Sequence, residues 1–551
     1  LYFFRLFRGS PFYFDNTTLP KVILFLIGLN LFSFFYTWNT YYTIHAAMMN
    51  ITSLLLLYFV SLHVDGYRAS WLLMTAAFSG FLVSIESWLQ FMDVFLIFKW
   101  AHPGIMVMGT IGNSNYLGAY LIFPLFATAG LVFLLKGKTR LIPLVLFFFI
   151  FGAFLFTRAR AAWFGFFLSF PIFLLLLKKI HRISIWENLR SRPRQAATYV
   201  VVALSLVVSL WQFAPQRLHA MMGFRNVTQS TTLKLRIEKY SKASLWLFKQ
   251  NPIFGTGLWS YRNSVFYAQA ELNKRDANYF KDYPEPKPES VHNEYLEVFN
   301  DGGVVAAFSL ALFLVILMGH GWRVIKDETL DYRDRMIAAT AFSAVLAIML
   351  AGFFFFPFRI NSTLFMTVLM MGMVEGIYVR NYGLISKRDM KRSKTGLVFI
   401  PLIFIVLSGF VWFKGIKPFM SEMEHFKYKK ALSRGDGKAA EKYILKAIAY
   451  DPHNSTYCLY ASQVYLNLLR DFGKATDFIE RAIIDYNGDI TMWSVYFIKG
   501  LLKFQTGALY EAQAAFEKAL YYNPTFEEAR QKLEEVKKVV KDHDRVVVKF
   551  R

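Results

Sequence analysis

The chain has 551 residues, of which 55% are hydrophobic and 18% aromatic, and it contains 58 Phe. Its mean hydropathy of +0.33 is too high for a soluble globular protein, so soluble enzyme and binding-protein classes are excluded. The formal net charge is +24, but most basic residues lie in short loops between apolar runs, where they set membrane topology and contact anionic lipids. Nucleic acid is therefore not an expected partner.

The start of the chain reads LYFFRLFRGS from Leu1, with neither an initiating Met nor a signal-peptide pattern. We expect a segment to precede it, which would raise the number of membrane spans if that segment is apolar. Cysteine is nearly absent, since Cys458 is the single example. The sequence therefore predicts neither a disulfide within the chain nor a thiolate metal cluster.

Eleven apolar runs are each long enough to cross the hydrocarbon core of a membrane. They predict an all-α fold, a polytopic transmembrane helical bundle of about eleven or twelve spans. The runs lie near residues 21–38, 46–64, 71–93, 117–135, 141–157, 161–177, 197–214, 303–322, 337–357, 362–379 and 397–413.

The loops between these runs alternate in charge. One set is rich in Lys and Arg, and the positive-inside rule places it in the cytoplasm. The loop at 215–302 and everything after about residue 414 then lie on the outer side, so we predict a transmembrane domain at 1–414 and an extracytoplasmic domain at 415–551. The basic loops lie near residues 5–8, 68, 136–140, 178–194, 323–335 and 380–394. The opposite short loops hold only Lys99, Arg158, Arg160 and Arg359.

Two polar features lie in or beside the early spans. Glu86 and Gln90 are one helical turn apart within a span and should face the bundle interior, for a structural hydrogen bond or a substrate groove. Gly112, Asn113 and Asn115 precede the span at 117, where the asparagines could orient a substrate head group or cap the helix.

The outer loop at 215–302 has about 88 residues, which is far longer than an ordinary connection and favours a functional segment. It contains an amphipathic helical stretch from near Thr232 to Asn251, followed by a Gly255-Thr256-Gly257 turn. It closes with SVHNEYLEVFNDGG, in which His292 precedes a helix that leads into the next span.

His292 and the outer arginines are the candidates for chemistry. Imidazole can remove a proton from a hydroxyl near neutral pH, although a capping or hydrogen-bonded His explains the position as well. Arginine binds phosphate oxygens bidentately and can stabilise a departing diphosphate, although an arginine that snorkels to the interface is the plainer reading. The outer arginines are Arg158, Arg160, Arg236 and Arg359. Because the outer face lacks a carboxylate cluster with metal-ligand spacing, we expect no metal and no cofactor.

The polar tail after the last run repeats itself. Ala447, Ala482 and Ala519 mark equivalent positions 35 and 37 residues apart, close to the period of tetratricopeptide repeats, which the tail resembles. Three helix pairs would form a short solenoid, which serves either as a spacer or as a surface that recruits a protein partner.

Four segments together resemble the O-antigen ligase family, whose relatives include O-antigen polymerases and bacterial protein O-oligosaccharyltransferases. The resemblance covers about residues 20–380, and its motifs share their order along the chain with the family. They are GTIGNSNYLGAYL at 109–121, TRARAAWFG at 157–165, RIEKYSKASLWLFKQNPIFGTGL at 236–258 and HNEYLEVFNDGG at 292–303.

The resemblance implies a GT-C-like glycosyltransferase in the bacterial cytoplasmic membrane, of the kind used in lipopolysaccharide biosynthesis. It implies inverting, metal-independent transfer of a glycan from an undecaprenyl-diphosphate carrier to a hydroxyl acceptor. His292 matches the family's catalytic histidine, and Arg236 and Arg160 match its diphosphate-binding arginines, with Arg236 also assigned to the catalytic group. Arg158, Arg359, Asn113, Asn115 and Asn293 are further substrate-binding candidates. Ala159 departs from the family, where many members carry Ser.

Several functions remain open on the sequence alone. The acceptor can be lipid A core, a second lipid-linked glycan or a protein hydroxyl, because ligases, polymerases and protein oligosaccharyltransferases share the donor chemistry. A lipid-glycan flippase or transporter would instead spread polar groups through the midplane and show repeated spans, which the sequence lacks. A membrane scaffold would leave His292 and the outer arginines unexplained.

Overall fold

The structure, a computed structural model, describes residues 12–94, 107–181, 234–281, 290–388, 409 and 412–549. These residues are almost entirely helical. The described strands are β1 (Phe12–Asp15) and β2 (Ile385–Arg388), which pair antiparallel with Phe12 opposite Arg388. The predicted all-α polytopic class is confirmed.

Eight described helices are long and apolar enough to cross a membrane. They are α2 (Thr40–His63), α3 (Gly66–Phe91), α4 (Ser114–Leu134), α5 (Leu141–Phe156), α6 (Arg160–His181), α9 (Glu294–Lys326), α10 (Tyr332–Ala351) and α11 (Asn361–Asn381). The chain is therefore a multi-pass membrane protein. The predicted span at 197–214 lies outside the described residues, as does almost all of the span at 397–413.

The first predicted span is shorter than expected. The run at 21–38 forms α1 (Leu19–Phe32), which tightens into a 3₁₀ turn at Ser33–Phe35. The Ser33 hydroxyl donates to the carbonyl of Asn30 at 2.7 Å in this turn. Fourteen helical residues rise only about 21 Å, which is less than the hydrocarbon core of about 30 Å.

The connections predicted to be outer meet at one end of the bundle. The Trp38 amide donates to the Thr256 carbonyl at 2.9 Å, which joins the α1–α2 connection to the long loop. The Val107 amide donates to the Phe156 carbonyl at 3.4 Å, which joins two more of these connections. Which side of the membrane this end faces stays a prediction.

Small residues bring two of the sequence motifs into contact. A Cβ at Gly118 on α4 would collide with Ala159, and it would lie 3.0 Å from the Thr157 hydroxyl. A Cβ at Gly165 on α6 would collide with the backbone carbonyl of Ala347 on α10. The segments at 109–121 and 157–165 therefore pack closely against each other, at the end of the bundle that carries the long loop.

Glu86 and Gln90 face the bundle interior, as predicted, and form structural hydrogen bonds. Gln90 Nε2 donates to Glu86 Oε1 at 3.2 Å and to the Gly109 carbonyl at 3.1 Å. Gln90 Oε1 accepts from the amides of Met108 and Gly109, at 3.1 and 2.9 Å. The pair therefore fixes the backbone just before the Gly112-Asn113 turn.

The helix after His292 is broken at Gly303, where φ is 61° and ψ is −158°. The two halves hold the turn at 251–257 between them. Carbonyls of Asn300 and Asp301 accept from the amides of Thr256 and Gly257, at 2.7 and 3.0 Å. On the other side of the break, the Val304 amide donates to the Pro252 carbonyl at 2.9 Å. The motifs at 236–258 and 292–303 are thereby joined into one unit.

We expect Gly303→Ala to destabilise the protein. An alanine at these dihedral angles costs on the order of 1–3 kcal/mol, and its Cβ would collide with the Ile253 carbonyl. Gly319→Ala in the same helix is the matched control, since a Cβ there meets nothing within 4 Å. Thermal unfolding in detergent should show a lower midpoint for Gly303→Ala alone, and equal midpoints would contradict the break at Gly303.

The long loop contributes two further helices, α7 (Lys242–Gln250) and α8 (Tyr261–Arg275). A π-helical turn at Arg236–Ser241 leads into α7. The predicted amphipathic stretch from near Thr232 to Asn251 therefore begins with this turn in the described residues and ends at Gln250.

The C-terminal helices, residues 412–549, are arranged as antiparallel pairs. α12 (Lys417–Leu432) packs on α13 (Gly437–Tyr450), α14 (Ser455–Val464) on α15 (Phe472–Ile484), and α16 (Met492–Gln505) on α17 (Leu509–Tyr522). α18 (Glu527–Lys549) follows. Ala447, Ala482 and Ala519 are each fully buried in the second helix of a pair. Their assignment as tetratricopeptide-like repeats stays a prediction.

Candidate functional site

His292 lies at the end of the bundle where the long loop meets the spans. Its backbone has a left-handed φ of 58°, a conformation that is uncommon for a non-glycine residue and is often found at functional sites. The ring stacks against Tyr240 with centroids 6.1 Å apart, and its centroid lies 5.2 Å from that of Phe356. Two aromatic rings therefore fix the orientation of the imidazole.

The imidazole of His292 is neutral, and one of its ring nitrogens has no described hydrogen-bond partner. Burial and the nearby positive charge of Arg236 lower the pKa of His292 to about 3. Within the described residues, the buried Nδ1 atom has no hydrogen-bond partner. The helix cap at this position is Asn293, since its Oδ1 accepts from Tyr295 and Leu296 amides at 3.0 and 3.1 Å. The capping interpretation of His292 is therefore wrong, whereas an available base fits the geometry.

Arg236 begins the π-helical turn of the long loop and is partly buried beside His292. One of its terminal nitrogens donates to the Phe354 carbonyl at 3.4 Å, and its buried Nε has no partner among the described residues. Burial lowers the pKa of Arg236, Tyr240 raises it and Arg160 lowers it. The guanidinium therefore keeps hydrogen-bonding capacity for an anion.

Arg160 lies close enough to Arg236 for the two positive charges to act on each other. It is the first residue of α6 and its side chain is exposed. Arg158 lies in the same turn, with a left-handed φ of 53°. Arg236, Arg160 and His292 are thus predicted site residues that the structure brings together from three separate stretches of sequence.

Arg359 has partners that the sequence analysis did not foresee. Its guanidinium lies 2.7 Å from Asp301, 3.4 Å from Glu297 and 3.7 Å from Glu294, and its side chain is only 12% exposed. Burial acts to lower the pKa of Arg359, but the three carboxylates raise it above its ordinary value. The side chain is therefore held in an ion cluster, and its role as a diphosphate ligand stays a prediction.

The asparagine candidates also have structural roles. Asn113 Oδ1 accepts from the amides of Asn115 and Tyr116 at 2.8 and 3.3 Å, so it caps α4. Asn293 caps α9 in the same way. Capping explains both amide oxygens, and substrate binding by either asparagine stays a prediction. Asn115 lies in the first turn of α4 and is half-buried.

The cap at Asn113 places the start of α4 next to the His292 site. The Tyr116 ring lies 5.8 Å from Phe355 and 6.0 Å from Phe356. Phe356 in turn contacts His292. The motif at 109–121 therefore supports the site through aromatic packing.

Comparison with known families finds a match over part of the chain. Residues 144–311 match the family described as O-antigen ligase. The chain contains an O-antigen ligase domain. The predicted resemblance is confirmed over this range, and the match supports membrane glycan transfer of O-antigen ligase or polymerase type. No curated protein matches the chain at a significant level.

The O-antigen ligase domain contains the three residues that the structure gathers. Arg160, Arg236 and His292 all lie within 144–311, as does Arg158. Arg359 and the Asn113 turn lie outside this range. Arg160, Arg236 and His292 inside the matched range thus form the arginine–histidine site, whereas Asn293 in the same range caps α9.

Sequence reasoning missed the carboxylates and rings that surround the arginine–histidine site. Glu294, Glu297 and Asp301 are spaced i, i+3 and i+7, which places them on one face of a helix. That spacing was a detectable signal for a buried cation partner. By contrast, no sequence pattern marked Tyr240 or Phe356 as neighbours of His292.

A small cavity of about 90 Å³ separates the histidine side of the site from the ion cluster. It is lined by Phe356, which contacts His292, and by Arg359 and Glu297 of the cluster. Ser290 also lines it, and its buried hydroxyl has no partner among the described residues. Polar space therefore lies next to Phe356, the ring that contacts His292.

Proposed function

We propose that the chain transfers a glycan from an undecaprenyl-diphosphate carrier to a hydroxyl acceptor at the outer face of the bacterial cytoplasmic membrane. The observation that carries the proposal is the meeting of Arg236 and Arg160 with a neutral His292 at one end of the bundle. The O-antigen ligase domain at 144–311 supports the same class of chemistry.

Arg236 and Arg160 hold the diphosphate of the donor. The two guanidinium groups repel each other, and an anion between them offsets this electrostatic cost. A diphosphate supplies several negative oxygens, which a planar guanidinium binds in pairs. As the glycosidic bond to phosphate breaks, negative charge grows on the leaving group. The same two cations stabilise this charge, which is the electrostatic part of catalysis.

His292 acts as the general base. The acceptor oxygen attacks the anomeric carbon from the face opposite the diphosphate, its proton passes to the imidazole, and the bond from carbon to phosphate oxygen breaks, which inverts the configuration. An anion bound at Arg236 offsets the positive charge that lowers the pKa of His292 in the empty site. Donor binding therefore raises the basicity of the imidazole when the acceptor arrives.

The lipid-linked donor fits the position of the site. Arg160 begins a membrane-spanning helix, and His292 directly precedes another. A diphosphate bound there lies at the boundary of the bilayer while its polyprenyl chain stays in the hydrocarbon region. Membrane lipids are the remaining partners along the apolar surfaces of the spans.

The acceptor class is tested by reconstitution. The purified chain in liposomes is supplied with lipid-diphosphate glycan and, in parallel reactions, with lipid A core, a second lipid-linked glycan or a candidate protein. We expect glycan transfer to one acceptor with release of undecaprenyl diphosphate. Movement of the intact donor across the bilayer without transfer to any acceptor would favour a flippase and contradict the proposal.

We expect Arg236→Ala and Arg160→Ala to weaken donor binding. A hydrogen bond to a charged group contributes about 1.5–3 kcal/mol, which corresponds to roughly a 10- to 150-fold higher donor Kd. Binding of labelled lipid diphosphate in detergent measures this change. Arg140→Ala is the matched control because this half-buried arginine lies at the opposite end of the bundle, and the bond described for its side chain is to the nearby Gly137 carbonyl. Equal affinity in all three variants would remove both arginines from the donor site.

A further inference from the structure

The C-terminal helices pack directly against the long loop of the O-antigen ligase domain. One hydrophobic core contains Phe266 of α8, Val291, and Trp493 of α16. The rings of Phe266 and Trp493 meet edge to face at 5.4 Å. Since Val291 immediately precedes His292, this shared core extends to the residue next to the proposed base.

Polar contacts fix the same interface. Arg262 on α8 lies 2.8 Å from Asp489 in an ion pair, with each side chain 28% exposed. At the other end of α8, the Tyr521 hydroxyl donates to Glu271 at 2.7 Å. The helix is therefore held at both ends by the C-terminal helices. Further bonds tie these helices to the α1–α2 connection, from Asn39 to the Asn487 carbonyl at 2.9 Å, and to the first turn of α2, from Tyr41 to Asp451 at 2.7 Å.

The backbone around Asp489 is shaped for this contact. Gly488 has a left-handed φ of 90°, and a Cβ there would lie 2.6 Å from the carbonyl carbon of Arg262. A side chain would therefore push the two segments apart. The Arg262 guanidinium also lies over the Tyr42 ring, 4.7 Å from its centroid, so this arginine joins three parts of the chain.

A short path leads from this ion pair to the proposed base. Tyr261, the neighbour of Arg262, is fully buried, and its hydroxyl donates to the Tyr240 carbonyl at 3.2 Å. The Tyr240 ring stacks against His292. The start of α8 therefore supports the ring that orients the imidazole, and Asp489 holds the start of α8.

We propose that the C-terminal helices position His292, through Asp489, Arg262 and Tyr240, and so form part of the working active centre. This proposal rests on the proposed function for the catalytic role of His292. It differs from the two roles considered for the tail, a spacer and a recruitment surface, because it assigns the domain an effect on the chemical step. Arg262 and Asp489 are positioning residues, since the contacts described for them are with the protein.

Charge reversal tests the proposal in the full chain. Arg262→Glu and Asp489→Arg each give the two positions the same charge, whereas the double variant restores an attractive pair with reversed polarity. We expect each single variant to lower kcat about 10- to 100-fold, because small misplacement of a catalytic group has effects of this size. KM for the donor should change much less, and the double variant should recover most of kcat. A tail that is only a spacer or a recruitment surface would not produce this pattern.

The matched control is Glu480→Lys, which reverses one partner of the Lys499–Glu480 pair within the C-terminal helices. It should leave kcat unchanged. Hydrogen exchange of amides at 290–297 gives a readout that needs no turnover, and it should be faster in both single variants and normal in the double variant and the control. Unchanged exchange in the single variants would overturn the positioning proposal. Exchange could instead be faster in the single variants and normal in the double variant while the protein transfers no glycan. That result would reject the proposed function and leave the structural coupling in place.

Discussion

The variant His292→Ala should lose transfer while it keeps its fold and its affinity for the donor. General base catalysis contributes roughly 10²- to 10⁴-fold, and this contribution is lost with the imidazole. Because the proposed donor ligands are arginines on other elements, the donor Kd should change little. Single-turnover transfer from radiolabelled lipid-diphosphate glycan, together with donor binding, measures both quantities.

The control for this variant is His453→Ala, which removes a largely exposed histidine from the C-terminal helices. His453 pairs with Asp485 at 3.0 Å, and its side chain is 72% exposed, so its loss should affect neither transfer nor folding. Wild-type turnover in His292→Ala would reject the assignment of the base. Loss of donor binding together with turnover would give His292 a binding role instead of a catalytic one.

Replacement of Arg359 by Met should cause the largest loss of stability among the predicted variants. The change leaves Glu294, Glu297 and Asp301 buried without their cation. Removal of one partner from a buried ion pair costs about 3–5 kcal/mol, because a carboxylate left in a low-dielectric site must be protonated or hydrated. The guanidinium stays charged at any ordinary pH, since the carboxylates raise the pKa of Arg359.

Thermal unfolding in detergent measures this effect. Arg333→Met serves as the control, because Arg333 is exposed at the opposite end of the bundle. A quadruple variant that also changes the three acids to Gln, Gln and Asn should recover part of the stability lost in Arg359→Met. If Arg359→Met has normal stability and a large loss of donor affinity, the ion-cluster role is contradicted and Arg359 is a diphosphate ligand.

The sequence predicted the helical membrane architecture because long apolar runs have few alternatives in a bilayer. Charge alternation also predicted that Arg160, Arg236 and His292 share one side, and the structure places them at one end of the bundle. Their proximity could not be predicted, since it depends on how α6, the π-helical turn and the start of α9 pack. The close helix contacts at Gly118 and Gly165 are part of that packing. In the sequence they are indicated only by the small residues themselves.

Side-chain partners were the least predictable part of the site. Arg359 was expected to bind phosphate because it is a cation at a membrane boundary, but a helix face with Glu294, Glu297 and Asp301 competes for the same guanidinium. Only the break at Gly303 and the fold of the 352–359 connection bring these groups together. Asn113 and Asn293 show the converse case, because their positions just before apolar helices already favoured capping.

The most direct test is a structure of full-length His292→Ala with lipid-diphosphate glycan bound in a lipid nanodisc, determined by cryo-electron microscopy. We expect the diphosphate within hydrogen-bonding distance of the Arg236 and Arg160 guanidinium groups, with the anomeric carbon facing the space left by the imidazole. A diphosphate bound at the opposite end of the bundle, or beside Arg359 and away from position 292, would contradict the proposed active centre.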